Sequence, residues 1–227
     1  MSYFYLKVFV LICFIIGVSY WTTYNSSLFE SFETKNKEPI VLLGDSILKN
    51  NSYVSNGKGI DELLEERNNG KIYSLAENHS KIVDIYSQID KIPFELNNKS
   101  TNIFLSAGGN DILTFYVDQE EDKTDTSVLN PMFSAYKKLI ESIRTKMDRA
   151  RIVLLDIYYP DNMTYKQFHP IIKEWNTKIY EYANKNNYTI LKISNHLTQS
   201  NDFTMGIEPS ATGGEKITNM ILQTISF

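Results

Sequence analysis

The chain has 227 residues, 42 % hydrophobic and 22 % charged, the balance of one globular domain carrying an appendage. Its 23 lysines and arginines against 27 aspartates and glutamates give a net charge of −4 without a long basic block, which excludes a nucleic-acid footprint. Cys13 is the only cysteine, and His79, His169 and His196 lack the H-x-x-x-H spacing of a zinc motif, so no disulfide, metal or cofactor is expected.

The N-terminus comes first, because a targeting segment lies outside the fold. Tyr3 to Trp21 is apolar or aromatic apart from Lys7 and Ser19. A helix of that length spans roughly 28 Å, close to the hydrocarbon core of a bilayer. Tyr20, Trp21 and Tyr24 supply an interfacial aromatic belt. Residues 1–21 therefore read as a transmembrane signal-anchor. The alternative is a signal peptide cut near Gly17-Val18-Ser19, which would give a secreted form. Lys7 before the span, with Glu30 and Glu33 after it, places the main domain on the extracytoplasmic or lumenal side. Sequons at Asn25, Asn50, Asn78, Asn98, Asn162 and Asn187 agree with that side and suggest a glycoprotein. Residues 22–38 are polar and aperiodic, a linker, and residues 39–227 form the main domain.

From Glu38 onward, strands and helices alternate. Ile40–Leu43 is a short apolar run stopped by Gly44, a buried strand. A helical stretch follows at Asp61–Arg67, then a strand at Lys71–Ala76. Lys81–Ile92 carries Ile82, Ile85, Tyr86 and Ile89 at helical spacing. The third strand is Asn102–Ser106, and Asp118–Asp125 is an acidic, solvated loop. Pro131–Met147 is a helix with proline in its first turn. Arg151–Tyr158 is a strand stopped by Pro160, Tyr165–Asn184 a long helix, Tyr188–Ile193 the fifth strand and Glu215–Ile225 a closing helix. Such alternation demands crossover connections, hence a three-layer α/β/α sandwich with a five-stranded parallel sheet in the flavodoxin-like order 2-1-3-4-5.

In such a sheet ligands bind beyond the carboxyl ends of the strands, where the order reverses. Gly44-Asp45-Ser46 follows the first strand and Gly108-Gly109-Asn110-Asp111 the third, so these loops flank the switch point. Gly, Asp and Asn also make ordinary tight turns, so neither motif decides alone. Together, each behind its apolar strand, they resemble the SGNH (GDSL-type) hydrolase family across about residues 39–226. The resemblance implies an ester hydrolase that forms an acyl-enzyme on Ser46. Asn110 and the Ser46 backbone N–H then stabilise the oxyanion, with Gly44, Asp45, Gly109 and Asp111 in support. As a serine at a strand end entering a helix, Ser46 would also sit at a positive dipole end.

Two departures stand out. The family's second block supplies a glycine N–H, whereas this chain reads Glu77-Asn78-His79-Ser80; Asn78 or His79 would have to adopt the required dihedrals. Near the C-terminus the family has Asp-x-x-His, whereas this chain reads Met205-Gly206-Ile207-Glu208-Pro209-Ser210. That makes it a divergent branch with Glu208 in the slot of the general base. A carboxylate of ordinary pKa, about 4.3, is a poor base at pH 7, so Glu208 would need burial to raise it. His196, with Asp202 as support or replacement, is the alternative base. The substrate would be a small-molecule ester or an acylated glycan. The competing reading is a catalytically silent domain that binds glycan or acyl ligands.

Overall fold

The computed structural model describes residues 38–225, except positions 56, 69 and 119–125, together with Ser19. The expected membrane segment and linker, and the acidic run after Asp118, lie outside those residues. Among the described residues, no helix is long and apolar enough to cross a membrane.

Five strands form one sheet: β1 (Ile40–Leu43), β2 (Ile72–Ser74), β3 (Asn102–Leu105), β4 (Arg151–Leu155) and β5 (Thr189–Leu191). Their order is β2-β1-β3-β4-β5 and every pairing is parallel. The fold class read from the sequence is therefore correct for the sheet. β1 aligns Ile40 with Ile72 on one side and with Asn102 on the other, so its end meets the end of β3.

The helices are α1 (Ile60–Arg67), α2 (Ile85–Asp90), α3 (Gly109–Leu113), α4 (Leu129–Lys146), α5 (Met163–Lys166), α6 (His169–Asn186) and α7 (Ala211–Ile225). A hairpin of β6 (Phe203–Thr204) and β7 (Glu208–Pro209) precedes α7. Because strand side chains alternate, each strand feeds both faces of the sheet. Val41, Leu43, Ile103 and Leu105 pack with α2, α4 and α6, and the aromatic cluster Phe133, Tyr136 and Trp175 fills this layer. Ile40, Leu42, Phe104 and Val153 pack on the other face with α1 and α7.

Several boundaries differ from expectation for local reasons. The long helix expected from Tyr165 to Asn184 is two helices, because Pro170 lacks an N–H and starts a new first turn. β4 stops at Leu155, short of Tyr158. The Asn176 side chain takes both the N–H (2.9 Å) and the carbonyl (2.7 Å) of Ile157, replacing a strand neighbour. The closing helix begins four residues earlier than Glu215. Asn50 is fully buried, accepting from Ile60 N–H (2.9 Å) and donating to Pro209 C=O (3.3 Å), so the folded domain cannot carry a glycan there.

Candidate active site

Ser46 is delivered by a chain reversal that only glycine permits. At Gly44 φ is +133°, and a Cβ there would lie 2.0 Å from the Ser106 carbonyl oxygen. Gln88 of α2, completely buried, clamps this glycine. Its Oε1 accepts the Gly44 N–H (2.8 Å) and its Nε2 donates to the Gly44 carbonyl (2.9 Å). The Asp45 carboxylate then accepts the Ile47 N–H (3.1 Å) and the Ser106 hydroxyl (2.7 Å), while its carbonyl accepts from Leu48 and Lys49 N–H. These bonds hold Ser46 in a single turn. The expectation that the serine enters a helix is thus wrong: Asp45 caps an isolated turn, and the next α-helix waits until Ile60. The Ser46 backbone N–H has no protein acceptor among the described residues.

Asn110 enters from β3. Gly108, at φ +104°, lets the chain pass over Trp175, whose ring a Cβ would meet at 2.2 Å. α3 starts immediately, and Asn110 Nδ2 donates to the Ser80 carbonyl (3.0 Å). Asp111 Oδ2 accepts the Ile82 N–H (3.1 Å), so both residues brace the loop after β2. Burial raises the Asp111 pKa. In that loop His79 takes a left-handed backbone, φ +62°, between two pinned neighbours. Asn78 Nδ2 donates to the Ser52 hydroxyl (3.1 Å), and Ser80 is held by Asn110. No protein acceptor takes the His79 N–H among the described residues. The dihedral that a glycine would supply is therefore adopted by a histidine. Residues with φ > 0 other than glycine are uncommon, and histidine is among the few enriched there.

Glu208 arrives on the β6–β7 hairpin, which turns through Met205 and Gly206, both at positive φ. The Tyr158 hydroxyl ties the hairpin down by donating to the Ile207 carbonyl (2.6 Å). Ser46 and Glu208 line the same cleft, and the serine hydroxyl faces the carboxylate closely enough to lower its pKa. The Glu208 Oε2 atom is buried without another hydrogen-bond partner among the described residues. Burial is the larger effect and pushes the Glu208 pKa up; the Ser46 hydroxyl and the charge of His79 oppose it. Burial likewise drives Asp45 up to about 6 from an ordinary 3.8 against its own hydrogen bonds, with the neighbouring charges of Glu208 and Asp111 adding to the rise. Tyr158 and Tyr53 are raised mainly by burial and further by Glu208.

Sequence reading thus named Ser46, Asn110 and Glu208, and all three line one cleft together with Asp45 and Gly109. The residue it passed over is the His79 imidazole, weighed only for its backbone. The alternative base stands elsewhere. His196 lines a separate groove with Lys192 and Met220. Asp202 is completely buried, paired with Lys216 (2.7 Å), and caps the Thr198 and Gln199 N–H groups at 2.9 Å each. His169 does not line the cleft; its Nε2 meets the carbonyl of Pro160, which does, at 2.9 Å. Among the described residues no three His, Cys, Asp or Glu side chains gather as for a metal.

A serine hydroxyl beside a carboxylate, with its own N–H unpaired and an amide in the same cleft, is the layout of nucleophilic acyl transfer. Residues 42–215 match the GDSL-like lipase/acylhydrolase family, and the chain belongs to that family, hydrolases acting on esters. Solved structures repeat the fold. A G-D-S-L family lipolytic protein from Veillonella parvula is 19% identical with a TM-score of 0.62, covering 82% of this chain and 96% of its own. The acetylxylan esterase Axe2 from Geobacillus stearothermophilus is 15% identical with a TM-score of 0.62, covering 85% and 97%. The lipase Lip_vut3 from a goat rumen metagenome is 18% identical with a TM-score of 0.64, covering 82% and 96%. No curated protein matches the sequence.

Proposed function

We propose that the chain is a serine esterase that forms an acyl-enzyme on Ser46, with Glu208 as its general base. The observation that carries this reading is the approach of the Ser46 hydroxyl to the half-buried Glu208 carboxylate in one cleft, close enough to lower its pKa. In the first step Glu208 takes the hydroxyl proton as Ser46 Oγ attacks the ester carbonyl. The oxyanion is met by the Ser46 N–H, the His79 N–H and an N–H of the Asn110 amide. Collapse breaks the ester C–O bond, and the protonated Glu208 returns its proton to the leaving alcohol. Water, activated by the same carboxylate, then attacks the acyl-serine and releases the acid.

Half-buried Glu208 suits the role because a base works best with a pKa near the operating pH, and desolvation moves a carboxylate that way. Asp45 shapes the turn, its Oδ1 accepting from both the Ser106 hydroxyl and the Ile47 N–H. The Tyr3–Trp21 segment, in this reading, anchors the protein in a membrane with the catalytic domain on the extracytoplasmic or lumenal side. Retention in the membrane fraction after alkaline carbonate extraction supports the anchor; a soluble form beginning near Tyr20 removes it. The catalytic reading is tested with a nitrophenyl butyrate assay. Ser46→Ala should abolish turnover while the circular dichroism spectrum is unchanged. Equal rates in the two proteins would reassign the domain as a binder of glycan or acyl ligands.

A further inference from the structure

The cleft that holds Ser46 is polar at one end only. Asp45, Ser46, Asn110 and Glu208 gather there, whereas the remaining wall is mostly apolar: Ile112 and Leu113 of α3, Ile157 after β4, Phe168 and Ile172 at the start of α6, and Ile207 of the hairpin, with the rings of Tyr158 and Tyr165. Among the described residues no lysine or arginine lines it.

Apart from the Tyr165 hydroxyl, the polar groups near that wall are already spent. Asn176 occupies the N–H and carbonyl of Ile157, the Tyr158 hydroxyl is given to Ile207, and the Pro160 carbonyl meets His169. A sugar ring placed there would bury hydroxyls without partners, which is costly, whereas a hydrocarbon chain would gain by leaving water. The floor is also rigid. Ile112 and Phe168 are each 2 % exposed, and both belong to the same packed cluster as Trp175, a completely buried ring.

The mouth continues the pattern. Met163 and Met205, 83 % and 77 % exposed, stand on the two segments that supply Tyr165 and Ile207 to the cleft. Those segments adjoin, since a Cβ on Gly206 would meet Asn162 at 2.9 Å and Tyr165 at 3.4 Å. Methionine is flexible and polarizable, suited to an apolar chain of variable shape.

We infer that this wall is the acyl site and that the enzyme selects an apolar acyl chain longer than acetyl. The inference rests on the esterase reading above, and it opposes an acetyl ester as preferred substrate. Full-length protein should be assayed with nitrophenyl acetate, butyrate, hexanoate and octanoate, each below its KM. Burial of each methylene should raise kcat/KM about fourfold, equivalent to about 0.8 kcal/mol, so hexanoate should exceed acetate on the order of 10²-fold. Leu113→Trp, at a half-buried wall position, should cut the hexanoate-to-acetate ratio at least about tenfold by filling the site. Ile172→Ala should move the optimum to longer chains, and Leu113→Trp provides the readout if that core variant does not fold. Ser46-dependent turnover that is flat or falls from acetate onward overturns the acyl-site inference and leaves the esterase reading intact. Absence of Ser46-dependent turnover for every ester overturns both.

Discussion

Replacing Asp45 with asparagine isolates the free energy stored beneath the nucleophile. The folded protein raises this carboxyl to about 6 from 3.8, with burial as the first cause. Its charged form is therefore disfavoured in the native state, and folding stability from this group is fully present at low pH. It declines as pH rises through the unfolded value and is lost once pH passes the folded value, because the native state binds the extra proton only below about 6. At 1.36 kcal/mol per unit, the decline between pH 4 and pH 8 comes to about 2.5 kcal/mol. An asparagine Oδ1 can still accept from Ser106 and Ile47 and carries no titrating charge. Its new amide N–H changes stability equally at both pH values, so the double difference removes that offset. Urea unfolding of wild type and Asp45→Asn at pH 4 and pH 8 measures it. The variant should gain roughly 2–3 kcal/mol relative to wild type between the lower and the higher pH. A pH-independent difference would refute the claim that Asp45 is held in an unfavourable ionised state.

The other predictions concern the base, its neighbour and the sharp turn. Glu208→Gln keeps the shape of the side chain and removes its basicity, so kcat should fall by about 10³-fold or more with folding preserved. In wild type, kcat/KM should rise with pH through a Glu208 value above the ordinary 4.5, since burial raises it; a profile flat from pH 4 to 8 contradicts the assignment. The groups whose charge couples to Glu208 are His79, Asp45, Tyr53 and Tyr158. His79→Gly retains the left-handed backbone but deletes the imidazole that lowers the Glu208 pKa, so the acid limb should move to higher pH; an unmoved limb would separate His79 from the base. Gly108→Ala places a methyl 2.2 Å from the Trp175 ring at φ +104° and should cost more than about 2 kcal/mol in urea unfolding.

The centre of the sheet was legible because β1, β3 and β4 are short, mostly buried apolar runs, and β1 and β3 end close to glycine; parallel strands buried on both faces need no alternation. The loops after β1 and β3 were legible as a pair because topology puts strand ends together. The turn at Ser46 was not. Ser46-Ile47-Leu48-Lys49 reads like a capped helix start, but Asp45 closes the turn on itself and Asn50 is spent on α1 and the segment before α7. The β6–β7 hairpin gave no periodic signal, since its strands are two residues each and one contains Pro209. Glu208 was reached through family resemblance, because nothing local marks a carboxylate that a hairpin folds back over a serine. The His79 backbone was weighed, but its imidazole was passed over, because its place beside Glu208 follows from a left-handed turn pinned by Asn78 on Ser52 and Ser80 on Asn110, partners that lie far away in sequence.

The central claim is that Ser46 is an activated nucleophile although histidine is absent from its base slot. A fluorophosphonate ester forms a covalent bond only with a serine that is activated in this way. Treated with it at pH 8, the full-length protein should gain one adduct, located by peptide mass spectrometry at Ser46, and Glu208→Gln should label far more slowly. Absence of an adduct, or labelling at another serine with Ser46 untouched, would contradict the account.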